Sequence, residues 1–354
     1  MAAGGHFMRM NRVTGGLVLS ELCLGSMLWG STNSEAEAHA QIDMSLERGV
    51  NCIDTAEMYP VNPISADTVG RSEEIIGRWI ARNRSRRGDV VLATKVTGPN
   101  GGFIRDGRGF DGQVVREAVE ASLARLQTDY IDIYQLHWPV RGSYMFRQNW
   151  SYDPSGQDRA ETHAHMREVL EVLKALVAEG RIRHFGLSNE SAWGVMNWLM
   201  LAREMEAPEV VTVQNEYSLL CRMYDTDLAE LSANEGVRLM SFSPLATGLL
   251  TGKYQGGARP DGSRMTINAD LGGRKTARAF AAVEAYLEIA ARHGLDPVQM
   301  ALAWQRSRPF VGTAIFGASD MAQLERALGA AEVALSDEVL AEIDAAHRDH
   351  PMPY

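Results

Sequence analysis

Tyr134-Gln135-Leu136-His137-Trp138-Pro139 closes an apolar run that begins at Ile131, and His137 takes the first position beyond it. Three other segments repeat that plan. Asp54 follows Val50 to Ile53 and opens Asp54-Thr55-Ala56-Glu57-Met58-Tyr59. Lys95 ends the run that starts at Val90, and Gly186-Leu187-Ser188-Asn189 ends another on two polar side chains. Short β-branched runs that each finish on a polar or ionisable residue read as parallel strands of a barrel, because the C-terminal ends of such strands all face one mouth. A carboxylate, a phenol, an amine and an imidazole would meet there. Together they make a proton-transfer site.

The rest of the chain keeps the same rhythm. Candidate strands at 50–54, 90–95, 131–136, 183–187, 210–214, 237–242 and 311–316 alternate with helical patterns at 35–48, 71–82, 112–125, 163–179, 191–204, 225–234 and 297–307. Such alternation implies parallel pairing with right-handed crossovers. Closing a barrel needs an eighth strand, and Cys23-Leu24-Gly25 supplies the first, with Val13 to Leu22 read as a hairpin under the floor. Ser336 caps a last helix with Asp337 and Glu338 in its first turn. The expectation is a (β/α)8 barrel in one domain over residues 1–354, with residues 1–8 a loose extension.

Composition narrows the function. A formal charge of -10 with no basic stripe speaks against nucleic acid, and no apolar run is long enough to span a membrane. Arg82, Arg84, Arg86 and Arg87 read as a solvated helix end. Cys23, Cys52 and Cys221 form no C-x-x-C and read as buried free thiols, which together with the lack of an apolar leader points to the cytoplasm. Gly107-Arg108-Gly109-Phe110-Asp111-Gly112 copies a dinucleotide fingerprint but lies a dozen residues past Lys95, so it reads as a loop before a helix. His163-Ala164-His165 has no third ligand and reads as a helix start, so no metal is expected. Two long insertions, an aromatic one at 139–162 and a basic, glycine-rich one at 251–275, follow strand ends and would overhang the mouth.

The set Asp54, Tyr59, Lys95 and His137 resembles the catalytic tetrad of the aldo-keto reductase superfamily. Gly25-Ser26-Met27, Gly70-Arg71-Ser72-Glu73, Val213-Gln214-Asn215, Ser243-Pro244-Leu245 and Gly317-Ala318-Ser319 extend the match over nearly the whole chain. Ala56 to Val61 and the Ala341-Glu342-Ile343-Asp344 segment are similar to the bacterial Tas-type branch. The resemblance implies NADPH-dependent reduction of a small aldehyde or ketone. Tyr59 would be the general acid, Lys95 the cation that favours phenolate, Asp54 its anchor, and His137 the donor that orients the substrate oxygen.

The resemblance also assigns the cofactor contacts. Gly25, Ser26, Met27 and Asp54 would lie beside it, and Ser188, Asn189 and Gln214 would hold the carboxamide of the nicotinamide, with Phe242 stacked on its ring. Ser243, Pro244, Leu245, Gly248 and Lys253 would run under the pyrophosphate, with Arg264 alongside. Gly317, Ser319 and Gln323 would take the adenosine end at a helix start, where Arg326 adds positive charge. Trp29, Trp138, Tyr144 and Trp150 are expected to form the substrate wall. Two other classes stand beside this one: a cofactor-binding regulatory subunit like the potassium-channel β subunits, and a doubly wound dehydrogenase. Leu24-Gly25-Ser26-Met27-Leu28-Trp29-Gly30 lacks the glycine fingerprint that the latter needs.

Overall fold

The computed structural model describes residues 8–354. Met1 to Phe7 lie outside the described residues, whereas Met8, the last residue of the expected extension, packs against the main core. A hairpin, β1 (Met10–Arg12) and β2 (Val18–Ser20), turns at Thr14–Gly16 and precedes eight strands: β3 (Leu22–Gly25), β4 (Cys52–Asp54), β5 (Val91–Val96), β6 (Ile131–Leu136), β7 (Ile182–Ser188), β8 (Val210–Gln214), β9 (Arg238–Phe242) and β10 (Val311–Phe316). They close on themselves in the order β10-β3-β4-β5-β6-β7-β8-β9, every pair parallel. The expected (β/α)8 barrel is therefore what forms.

Among the described residues, eleven α-helices surround or extend it: α1 (Glu35–Glu47), α2 (Arg71–Arg82), α3 (Gly112–Leu126), α4 (Arg159–Ala178), α5 (Ala192–Glu204), α6 (Asp227–Glu235), α7 (Arg264–Ile267), α8 (Ala277–Arg292), α9 (Pro297–Arg306), α10 (Met321–Leu328) and α11 (Asp337–Asp349). Short polar caps start them where the sequence offers one. Ser34 and Glu37 form a reciprocal capping box on α1, and Asp111, within the glycine-rich segment 107–112, caps α3. Ser336 caps α11 as expected, its Oγ accepting from Val339 N at 3.3 Å. α7 and α8 are not expected from the sequence pattern, and α10 is expected only as the helix start at residues 317–323.

Period-two alternation sorts the strand side chains into two cores. On β5, Leu92 and Val96 face the helices, while Ala93 faces the barrel interior with Cys23, Cys52, Ile133, Val211, Met240 and Ile315. Val13, Leu17 and Leu19 of the hairpin segment close that inner core from below. Complete burial of one such aliphatic side chain stabilises by about 1.5–3 kcal/mol. Cys52, Ala93 and Ile133 of that inner core are followed two residues on by Asp54, Lys95 and Gln135 in turn, so on these strands the inner face turns polar at the upper end, next to the mouth.

One sequence expectation fails on the helix side. Arg87 is buried, not solvated: it donates to Asp132 at 2.8 Å and to the carbonyls of Val90 and Tyr130, with its guanidinium 3.9 Å from the Tyr130 ring centroid. Asp132 also accepts from Leu92 N at 3.0 Å, so the carboxylate satisfies a strand amide and the arginine together. Cys23, Cys52 and Cys221 are buried and unpaired. Among the described residues, no helix is long and apolar enough to cross a membrane.

Candidate active site

Asp54 ends β4, and Lys95 comes one residue before the end of β5. The register sets Asp54 level with Ala93, so Lys95 stands two residues higher and reaches back. Its Nζ donates to Asp54 Oδ2 at 2.7 Å and to the Thr55 carbonyl at 2.6 Å. The other carboxylate oxygen accepts from Gln214 Nε2 at 2.8 Å and from Gln135 Nε2 at 3.3 Å. The ammonium is wholly inaccessible. A buried charge survives only when paired and hydrogen-bonded, and this one is. Loss of hydration on burial would lower the Lys95 pKa, but Asp54, with Tyr59 and Cys23 adding to it, outweighs that effect and holds the ammonium above its usual value.

Tyr59 sits in the turn after β4, its ring centroid 5.0 Å from Lys95 Nζ and 5.9 Å from the His137 ring, edge-on. The sequence reading expects Lys95 to favour phenolate. In the structure burial outweighs it: loss of hydration pushes the phenol up, Lys95 pulls it down by less, and Asp54 adds to the rise. Tyr59 is therefore a protonated phenol at neutral pH. His137, at the end of β6, is held well below the usual imidazole range by burial first and the Lys95 charge second, so it is neutral. Its Nδ1 is buried without a partner. The four expected catalytic groups come together as a neutral donor and a neutral imidazole around one fixed ion pair.

Sequence reasoning missed what fixes the Tyr59 turn. Glu57, also buried, accepts from Thr97 N at 2.5 Å and from Arg105 Nη1 and Nη2 at 3.0 and 2.7 Å. Its own amide donates to the Lys95 carbonyl at 3.2 Å. The turn bearing the phenol is thus clamped to the strand bearing the amine. Glu57→Gln keeps the shape but removes the charge opposite Arg105, and should cost about 2 kcal/mol of stability in urea unfolding. An unchanged midpoint would show the clamp to be inert.

The expected cofactor residues ring the same mouth. Ser188 Oγ donates to the Gln214 carbonyl at 2.8 Å, and Asn189 Nδ2 donates to the His137 carbonyl at 2.9 Å. Asn189, Ser243, Ala246 and Thr247 all hold positive φ, between 47° and 56°, a concentration of uncommon backbone typical of functional sites. Gly25 packs against β10, where a Cβ would stand 3.0 Å from Ile315 Cγ2, and Met27 is half-buried nearby. Phe242 ends β9 half-buried, and buried Pro244 and half-buried Leu245 follow. At Gly248, with φ at 95°, a Cβ would lie 2.9 Å from Lys253 Cε. Ser26 Oγ, Asn189 Oδ1 and Arg264 Nε are buried with no partner. Among the described residues neither Lys253 nor Arg264 forms an ion pair. Burial, then the neighbouring Arg274, brings the Arg264 guanidinium down to about 10, and the same side chain acts on Tyr59.

The adenosine end differs from expectation. Arg326 is paired with Asp296 at 2.7 Å in a partly exposed contact, so its charge is already matched by a carboxylate. Gly317 is exposed, Ser319 N donates to Gln323 Oε1 at 3.3 Å, and Asp320 caps α10 through Gln323 N at 2.9 Å. The wall also changes. Trp138 leans on His137, ring centroids 4.7 Å apart, and meets Phe146 edge-on, while Tyr144 pairs with Tyr152. Trp29 is 1% exposed, its indole bonded to Gln41 of α1, which puts it in the core between helices. Trp150 is 61% exposed against Arg278 of α8. Phe146, which the sequence reading left out, takes the place beside Trp138.

The model of the aldo/keto reductase family matches residues 21–348, from the foot of β3 to α11. The chain belongs to the aldo/keto reductase family. It is 44% identical to Protein tas of Escherichia coli over 95% of this chain and 96% of that protein. It is 32% identical to the uncharacterized oxidoreductase YrpG of Bacillus subtilis, over 92% and 91% of the two chains. The probable voltage-gated potassium channel subunit beta of Arabidopsis thaliana is 28% identical over 90% of this chain and 89% of its own. Membership makes the protein an oxidoreductase acting on carbonyl compounds, in a family that uses a nicotinamide cofactor.

Proposed function

We propose that this protein reduces aldehydes or ketones to alcohols with NADPH, Tyr59 acting as general acid. The observation behind the reading is the convergence of a protonated phenol, a neutral imidazole and a buried Lys95–Asp54 pair at one barrel mouth. A bound nicotinamide would supply the hydride. Ser26, Ser188, Asn189 and Gln214 would hold its ring end, and the partnerless Ser26 Oγ and Asn189 Oδ1 suit that task. Lys253 and Arg264, cations without carboxylates, suit the phosphates.

Tyr59 gives its proton to the carbonyl oxygen as that oxygen gains charge, and the phenolate left behind is stabilised by Lys95. His137, as the tautomer carrying a proton on the nitrogen that faces the substrate, donates a second hydrogen bond to the same oxygen. Neutrality matters here. A charged imidazole would be a competing acid, and burial prevents it. Trp138 and Phe146 form an apolar flank for the substituent of the carbonyl. Absorbance of NADPH during assay of a carbonyl panel tests the reading, and failure to oxidise NADPH with any aldehyde or ketone would remove it.

A second reading, a cofactor-binding regulatory subunit with slow turnover, draws on the relative named as a potassium channel subunit. It expects a stable hetero-complex on native purification and turnover below one per minute across the same panel.

Cofactor binding turns on Arg264. Arg326 is paired and the Asp320 carboxylate stands at the start of α10, so Arg264 and Lys253 supply the positive charge for the phosphates. A guanidinium close enough to act on Tyr59 stands at the nicotinamide side of the pyrophosphate, which both dinucleotides share. Arg264→Ala should therefore raise the dissociation constants of NADPH and NADH alike, about tenfold, the worth of one charge-assisted hydrogen bond. Calorimetric titration of both cofactors decides it. A loss confined to NADPH would put Arg264 on the 2′-phosphate instead.

A further inference from the structure

Glu216, two residues past the end of β8, is 7% exposed and holds three donors from three distant segments. Its Oε2 accepts from Arg147 Nη1 at 2.9 Å, and Oε1 accepts from Arg274 Nε at 2.7 Å and from the Tyr354 hydroxyl at 3.1 Å. Arg147 belongs to the aromatic insertion and Arg274 to the basic one. Tyr354 follows α11, and its ring lies 5.9 Å from the Arg274 guanidinium. The same two segments meet again next door, where Thr276 donates to the Pro353 carbonyl at 2.6 Å while capping α8. Gly272 and Gly273, both at positive φ, pass so close over the two arginines that a Cβ on either would come within 3.3 Å of a guanidinium nitrogen.

None of these groups belongs to the tetrad, yet Glu216, Arg274 and Tyr354 are buried and Arg147 is mostly so. Arg274 and Tyr354 are each 5% exposed. One carboxylate facing two guanidiniums leaves an excess of positive charge, and the cost shows on Arg147, held below its usual value by burial and then by Arg274. Such a cluster resists opening only while all its donors are seated. The phenol is the donor that can leave without exposing a charge, so it is the natural release point.

We propose that Tyr354, through Glu216, is a positioning residue that latches the 251–275 segment over the barrel mouth and thereby sets how fast the dinucleotide enters and leaves. This rests on the reading above, in which Lys253 and Arg264 of that segment hold the cofactor. Because Arg147 shares the carboxylate, the latch also ties the aromatic flank to the cofactor strap. The two overhanging loops move together or not at all.

Tyr354→Phe keeps the ring and removes the hydroxyl; Tyr354→Ala removes both. Two measurements are needed on the full chain. Tryptic cleavage after the exposed Lys275, without cofactor, should be about tenfold faster in Tyr354→Phe than in the wild type. NADPH dissociation, followed by stopped-flow fluorescence, should accelerate by a similar factor, with single-turnover hydride transfer from prebound NADPH unchanged. Tyr354→Ala should exceed both effects if it folds, and Tyr354→Phe decides alone if it does not. Equal cleavage, or faster cleavage with unaltered dissociation, overturns the latch. A parallel fall in hydride transfer overturns it too, by showing general disruption of the site. Should wild-type protein bind no NADPH at all, the cofactor reading fails, and with it the proposal, while cleavage still reports whether the strap is pinned.

Discussion

Tyr59→Phe should lower the rate constant for carbonyl reduction about a thousandfold, within the range that a positioned general acid contributes. That is about 4 kcal/mol of barrier. The change removes one oxygen and keeps the ring that stands edge-on to His137, so NADPH affinity should move by no more than about twofold. The pH profile gives a second check. Burial raises the Tyr59 pKa above its ordinary 10.0, so the donor is fully protonated through the neutral range. Reduction by the wild type should hold steady there and fall only as pH climbs through the raised value, since the acid is lost on deprotonation. The residual rate of the variant should lack that alkaline limb. Wild-type turnover in Tyr59→Phe would take the residue out of the mechanism.

The barrel was readable because its signals are local. A strand buried on both faces shows up as a short apolar run, and the polar residue that ends it marks which way the strand points. Asp54, Lys95 and His137 stand at such ends, and Asn189 follows one directly. α8 was harder to see because its sequence alternates Ala with larger residues, and alanine blurs the contrast between buried and solvated faces. α10 has a plain Asp320 cap, but its eight residues make barely two turns.

Partners distant in sequence were the part that local pattern withheld. Arg87 sits among four arginines that look solvated, and only the fold brings Asp132, 45 residues on, beneath it. Arg326 looks free until Asp296 is seen beside it. Trp29 comes two residues after Gly25-Ser26-Met27 and so looks like a rim residue, yet Gln41 of α1 draws its indole into the core. The electrostatic sign at Tyr59 belongs to the same class. Lys95 nearby suggests a lowered pKa, but the sequence does not say how deeply the phenol is buried, and burial is the larger effect.

Lys95→Met should be the most damaging change for the fold among these, as well as silencing the site. Without the ammonium, Asp54 is left 2% exposed with only Gln214 and Gln135 as donors, and breaking a buried pair this way costs about 3–5 kcal/mol. The loss should appear as a lower urea midpoint at neutral pH. Its pH dependence follows from the sign of the Lys95 shift. A lysine whose folded pKa is raised above 10.5 stabilises the fold fully at pH below that value, and the contribution disappears as pH rises through the higher, folded one. Wild-type stability should therefore fall in strongly alkaline solution, while Lys95→Met should lack that component and converge on the wild type there. Carbonyl reduction should drop by at least a hundredfold, because the phenolate formed on proton transfer has no cation beside it. Adding Asp54→Asn separates the two roles. The double variant buries no unmatched charge, so it should recover at least half of the lost stability, and none of the activity. Recovery of both would mean that the pair serves the fold alone, and that Tyr59 needs no neighbouring charge.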